Sequence, residues 1–209
     1  MSIENKYTLH CFAGDMPSLG IILLAKELKL DVIIRYLKPI NVAEKLYKPS
    51  LTKSFPMLQT TNQDTYFIER TPAILRHLSR EASENKLYDE KNIKSCLSQD
   101  ILFDFIYQEI LPSLFVLNAE MIGVIEIDNE DRSLAIGTVF KCFPVLIKLT
   151  EKLEKEPQLI DYFLIPVIIM ASRISKKLNL KWEKNILQIT SRINYLDLKS
   201  KDVFKSLVF

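Results

Sequence analysis

The sequence predicts a two-part chain, an α/β domain over residues 1–83 followed by an all-helical domain over residues 92–209. Short β-branched runs alternate with helical patterns as far as residue 80, and beyond it apolar residues recur at three-and-four spacing. A polar, charged stretch over residues 84–92 separates the two patterns and is typical of a domain boundary.

The first third of the chain has the pattern of a βαβ unit. Residues 6–12 form a predicted strand, and the pair Pro17-Ser18 opens a helix with a broad apolar face. Residues 31–37 are rich in β-branched side chains and predict a second strand, parallel to the first because such crossovers are right-handed. Residues 41–47 predict a short helix.

Residues 54–80 complete the first domain. A short apolar strand begins at Pro56, a polar turn follows over residues 60–64, and residues 66–68 predict a further strand. Thr71 is a suitable N-cap, and Pro72 suits the first position of the helix that follows. The predicted element order is therefore βαβαββα.

The second domain has helical periodicity throughout. Residues 93–121 predict a long helix that Pro112 should kink, and residues 134–153 predict a second helix containing Pro144, preceded by a charged cap region over 128–131. Three more helices are predicted, over residues 158–178, 182–194 and 201–208. The most apolar run, residues 162–172, is well short of the ~20 residues that span a bilayer, so we expect a core helix and no transmembrane segment.

Composition excludes several classes of function. The net charge of +2 is too near balance for a nucleic-acid-binding protein. The four glycines form no phosphate-binding loop, so no nucleotide fingerprint is present. The three cysteines, Cys11, Cys96 and Cys142, have no metal-binding or disulfide spacing, which favours a reducing compartment and predicts no metal. We expect a cytoplasmic location, with the mitochondrial surface as an alternative, because the first residues are polar and not a secretory signal.

Two segments carry a resemblance to a known superfamily. Residues 55–58 read Phe-Pro-Met-Leu, and residues 73–78 read Ala-Ile-Leu-Arg-His-Leu. Together, in the order strand, strand, helix, they resemble the second half of the thioredoxin-like domain of the glutathione transferases. The helical second domain extends the resemblance over nearly the whole chain. It implies a cis peptide bond before Pro56, and an Asp at the start of the central buried helix, where Asp161 stands behind the weak cap Gln158.

The resemblance also implies a thiol-activating side chain near the end of the first strand, normally Tyr, Ser or Cys. That place falls on His10 or Cys11, or on Asp15 a little later, and none is a Tyr or Ser. The plainer interpretations are a buried small side chain for Cys11, a strand residue with a satisfied ring for His10, and an N-cap for Asp15. No catalytic residue is therefore assigned, and these three stay candidates.

The glutathione anchors implied by the resemblance lie beside the cis proline and just before the next helix. The candidates are Phe55, Pro56, Met57, Glu69, Arg70 and Thr71. The position that should accept a hydrogen bond from the γ-glutamyl ammonium falls on Arg70, whose positive charge would repel it. A slip of one residue would place Glu69 there instead.

Two functions remain open at this point. The favoured one is a non-catalytic interaction or scaffold subunit, working in a homo- or heterodimer or larger complex. It resembles branches such as the elongation factor gamma subunit and the metaxins. The alternative is a glutathione-dependent transferase or thiol transferase, with glutathione as substrate and no other cofactor. Altered residues at both chemical sites favour the first function.

Overall fold

The computed structural model describes residues 7–12, 15–37, 55–60, 66–82 and 86–193. The contacts group the described residues before 83 into one compact unit and those from 86 onward into another. The predicted helices over 41–47 and 201–208 and the predicted turn over 60–64 lie wholly or largely outside the described residues.

The first unit is built on a four-stranded sheet. Its elements are β1 (Tyr7–Phe12), α1 (Met16–Glu27), β2 (Val32–Leu37), β3 (Met57–Thr60), β4 (Phe67–Glu69) and α2 (Thr71–Glu81). The strand order is β2-β1-β3-β4, with β1 parallel to β2, and β3 antiparallel to both β1 and β4. The first two strands are parallel, as predicted.

The two faces of β1 have different surroundings. Tyr7, Leu9 and Cys11 alternate along the strand and are buried, and the ring of Tyr7 packs edge-on against His77 of α2 at 5.7 Å between centroids. His10 belongs to the opposite face, because successive side chains of a strand alternate. Its ring lies 6.3 Å from that of Phe67 in β4.

One helix start differs from its predicted position. The carbonyl oxygen of Arg70 accepts the first helical hydrogen bond, from the backbone N–H of Ile74 at 3.1 Å. Arg70 therefore occupies the N-cap of α2, and Thr71, predicted to be the cap, is the first helical residue. Arg70 has a φ of 72°, which turns the chain sharply out of β4 and lets the helix begin one residue early.

The second unit is entirely helical over its described residues. It contains α3 (Ile93–Phe105), a π-helical segment (Ile106–Ile110), α4 (Leu111–Met121), α5 (Asn129–Thr150), α6 (Leu159–Lys177) and α7 (Glu183–Ile193). α6 lies at its core: Leu159, Leu164 and Ile174 are fully buried, and the ring of Phe163 packs on Phe103 of α3 at 5.3 Å.

By length and composition α5 would suffice to cross a membrane, and it is the one described helix of which this is true. Helices in the cores of globular proteins often pass the same test. A third of the tested stretch of α5 is buried within the unit, including Val139 and Phe143.

Candidate functional site

The sheet gathers the predicted site residues at one end. His10 of β1 is the register partner of Met57 at the start of β3, and Met57 is the partner of Glu69 at the end of β4. The peptide bond between Phe55 and Pro56 is cis, as predicted. The ring of Phe55 packs edge-on against Phe12 at 5.1 Å. The end of β1, the start of β3 and the end of β4 therefore lie together at the same end of the sheet.

Cys11 faces α1 and is fully buried. Burial raises the pKa of its thiol to about 11, although a hydrogen bond with Ser18 acts in the opposite direction. The raised pKa keeps the Cys11 thiol protonated at neutral pH, whereas the thiolate is the form that acts as a nucleophile. The geometry at this point does not supply an activated sulfur.

The side chains of Asp15 and Ser18 are hydrogen-bonded to each other at the start of α1. Asp15 occupies the N-cap position, as expected, and its Oδ2 accepts a short hydrogen bond from the Ser18 hydroxyl. Burial raises the pKa of the Asp15 carboxyl, and the bonds from Ser18 lower it by less. Ser18 itself is 2% exposed. The Ser18 hydroxyl is therefore hydrogen-bonded to Asp15 and Cys11 inside the protein.

His10 lies on the opposite face of β1 from Cys11, so the two neighbours cannot act on one substrate atom. Its Nε2 lies 2.9 Å from Oε1 of Gln59, one strand away in β3. Burial lowers the pKa of the imidazole, and Arg35 adds to that effect, so the ring is neutral at physiological pH. Nδ1 is buried and has no hydrogen-bond partner among the described residues, so the expectation of a fully satisfied His10 ring is wrong for this nitrogen.

The anchor candidates before α2 differ in exposure. Arg70 is exposed, Glu69 is half-buried, and Thr71 is 3% exposed. Pro56 and Met57 are buried, and Phe55 is half-buried. Of this set Arg70 is the most exposed, and the adjacent Glu69 carries the opposite charge.

Sequence reasoning missed Ser18 and Gln59 as parts of this region. Ser18 stands three residues after Asp15, the spacing of a helix-start pair, which is a usable signal. Gln59 stands two residues from the register partner of His10, which only the strand pairing reveals. In the part of the chain that the structure describes, no three His, Cys, Asp or Glu side chains come together as a metal site would require.

The sequence matches no protein-family model and no curated protein. The backbone, by contrast, is similar to solved glutathione transferase structures. Yeast Ure2p in complex with glutathione has a TM-score of 0.81 at 13% identity, covering 100% of this chain and 96% of that one. The chain has the glutathione transferase fold. This confirms the predicted architecture of a thioredoxin-like unit followed by a helical one.

Two further structures extend the similarity beyond Ure2p. A glutathione transferase from Pseudomonas putida, with one glutathione disulfide bound per subunit, has a TM-score of 0.76 at 13% identity, covering 94% of this chain and 89% of that one. A delta-class transferase from Nilaparvata lugens has a TM-score of 0.70 at 17% identity, covering 90% and 87%. At such identities the similarity establishes the fold, and chemistry has to be argued from this chain's own residues.

Proposed function

We propose that this protein is a non-catalytic interaction subunit that uses the glutathione transferase fold as a scaffold. The observation that carries the proposal is the state of Cys11, a fully buried thiol whose pKa is raised to about 11. A glutathione-dependent enzyme of this fold needs a group at the end of β1 that stabilises a thiolate. Here the Cys11 thiol is buried with a raised pKa, Asp15 is bonded to Ser18, and His10 lies on the other face of the strand.

The charge before α2 supports the same proposal. Arg70 stands where the resemblance requires an acceptor for the γ-glutamyl ammonium, and it is exposed. A lost hydrogen bond together with a like charge should weaken glutathione binding by about two orders of magnitude.

The helical unit offers surface for assembly. Ile93, Leu97 and Ile101 are spaced four residues apart on α3, and they are 75%, 57% and 49% exposed. Such spacing places them along one face of the helix. An exposed apolar stripe of this kind is typical of a surface that meets another protein. We propose a dimer or a complex with a protein partner, in a cytoplasmic setting.

The alternative is a glutathione-dependent transferase. It is favoured by the meeting of Met57 and Glu69 at the end of β1, where Glu69 could serve as the acceptor in place of Arg70. Several solved structures with this fold contain glutathione or a derivative of it. Those ligands motivate the test but decide nothing for this chain.

Calorimetric titration with glutathione, and separately with S-hexylglutathione, distinguishes the two functions. The proposal expects no measurable heat with the wild-type protein and partial recovery of binding in Arg70→Gln, which removes the like charge and restores an acceptor. Arg80→Gln, an exposed arginine at the other end of α2, is the matched control and should recover nothing. Micromolar affinity with thiol-transfer turnover that disappears in Cys11→Ala would make the protein an enzyme.

A further inference from the structure

The loop between α4 and α5, residues 122–128, is held in one conformation at its first end. The backbone N–H of Gly123 bonds to the carbonyl of Glu120 and that of Val124 to the carbonyl of Ala119, both at 2.9 Å. Gly123 has a φ of 74°, the left-handed conformation that glycine adopts without strain. This pair of bonds is a Schellman motif, which closes the helix and fixes the direction of the loop.

The second end of the loop is held by Asp128 and Arg132. Asp128 caps α5 by accepting a bond from the N–H of Asp131 at 2.8 Å. The Arg132 guanidinium binds both carboxylate oxygens of Glu120 across the loop and donates to Oδ1 of Asn129 at 2.7 Å. The Arg132 bond lowers the pKa of Glu120 below its ordinary value, so the pair stays charged. A bridge of this kind ties the end of α4 to the start of α5.

This rigid loop presents apolar side chains to solvent. Ile122 is 58% exposed, Val124 is 69% exposed and Ile125 is 38% exposed. In a Schellman motif the residue at the position of Val124 commonly packs back on its own helix. Val124 does not pack back on α4, so its apolar surface is available to a partner. A preorganised loop loses little conformational entropy when it binds, which is an advantage for a docking surface.

Carboxylates surround the apolar side chains. Between residues 120 and 132 the chain has five acidic side chains and one basic one, whereas the whole chain has a net charge of +2. Arg132 binds Glu120, and the other four, Glu126, Asp128, Glu130 and Asp131, are all exposed. A complementary surface would place lysine or arginine side chains around an apolar stripe. An anionic membrane would instead be repelled.

We propose that the α4–α5 loop is a docking surface for a basic amphipathic helix of a protein partner. The proposal rests on the proposed function as an interaction subunit, and it names the chemistry of the partner. The apolar face of such a helix would cover Val124 and its apolar neighbours. Lysine side chains beside that face would form ion pairs with Glu126 and Glu130. This surface is separate in sequence from the apolar stripe of α3.

Two short synthetic helices test it, one built from leucine and lysine and a matched one built from leucine and glutamate. We expect the lysine helix to bind, with amide resonances shifting within residues 120–132, and the affinity to fall as salt is added. Val124→Ser should weaken binding about tenfold. Leu187→Ser is the control, because Leu187 on α7 is 68% exposed but lies outside the loop. Glu126→Gln with Glu130→Gln should weaken binding and flatten the salt dependence.

Several outcomes would overturn the docking proposal: no binding of the lysine helix, equal binding of the glutamate helix, equal loss in Leu187→Ser, or binding of phosphatidylserine vesicles through Val124. Self-association that disappears in Val124→Ser would replace the foreign helix with a second copy. Glutathione turnover is measured separately on the same wild-type protein. Turnover together with lysine-helix binding would overturn the proposed function alone, and the absence of both would overturn the docking proposal alone. Turnover without lysine-helix binding defeats both proposals, whereas binding lost in Val124→Ser without turnover supports both.

Discussion

The chemistry at the end of β1 depends on single residues. The reactivity of the three cysteine thiols tests it directly. Cys142 is half-buried, whereas Cys96 is 9% exposed and Cys11 is fully buried. We expect a disulfide reagent at mildly alkaline pH to modify Cys142 first in the native protein, and Cys11 only on unfolding. The fast phase should disappear in Cys142→Ala. A fast phase that persists there and disappears in Cys11→Ala would mean that the site sulfur is activated after all.

The same residues show what the sequence could predict at this scale. It identified Cys11, His10 and Asp15 because they fall where the resemblance places the chemistry, and that placement needs only a strand boundary. Their electrostatics could not be predicted, because the raised pKa of Cys11 comes from its burial, which only the folded chain reveals. The hydrogen bond that the Oε1 atom of Gln59 accepts from His10 likewise depends on the register of β1 and β3.

At the scale of elements, the long helix after the domain boundary is broken in a way the sequence predicted only in part. Pro112 is expected to kink it, and the structure has a π-helical segment that ends at Ile110, two residues before the proline. The N–H of Leu111 bonds five residues back to the carbonyl of Ile106. The wider turn makes room for the proline ring, which would clash with the carbonyl four residues back in a regular α-helix. Proline marks the place, but local packing selects the kind of irregularity.

The start of α6 depends on one buried carboxylate. Oδ2 of Asp161 accepts the backbone N–H of Gln158 at 2.8 Å, and Oε1 of Gln99 accepts that of Ile160 at 3.2 Å. Asp161→Ala should lower the free energy of unfolding by ~1–3 kcal/mol, because it leaves the Gln158 N–H buried without its partner. Asp131→Ala at the exposed start of α5 is the control and should cost under ~1 kcal/mol. Equal losses in urea unfolding would contradict this.

The middle of α6 should be the most sensitive part of the helical unit. Ile168 is 8% exposed and belongs to the run of buried residues that forms the core. Ile168→Ala should lower the free energy of unfolding by ~2–5 kcal/mol through lost burial and a cavity. Leu187→Ala on α7, where the side chain is 68% exposed, should change it by less than ~0.5 kcal/mol. A loss below ~0.5 kcal/mol at Ile168 would mean that α6 is not the core.

For the whole molecule, buried titratable groups limit the pH range of stability: His10 acts on the acid side, and Cys11, with smaller contributions from Cys96 and Cys142, acts on the alkaline side. The folded-state pKa of His10 lies below its ordinary value of 6.5 because the ring is buried. As pH falls below that ordinary value the unfolded chain gains a proton before the folded one, so stability is lost on the acid side. The folded-state pKa of Cys11 is raised from 9.0 to about 11. As pH rises between those values the unfolded chain loses its proton first, and stability is lost on the alkaline side as well.

We therefore expect a stability plateau between the two ordinary pKa values, 6.5 and 9.0, in urea midpoints measured against pH. Asp15 opposes the acid loss, since its folded-state pKa is raised by burial and the folded protein takes up that proton more readily. His10→Gln should reduce the loss of stability at acid pH without changing the loss at alkaline pH. Cys11→Ala should reduce the alkaline loss and leave the part that comes from Cys96 and Cys142, whose pKa values burial also raises. His77→Gln is the matched control, because His77 is half-buried on α2. If His77→Gln reduces the loss at acid pH and His10→Gln does not, the burial of His10 does not set that limit.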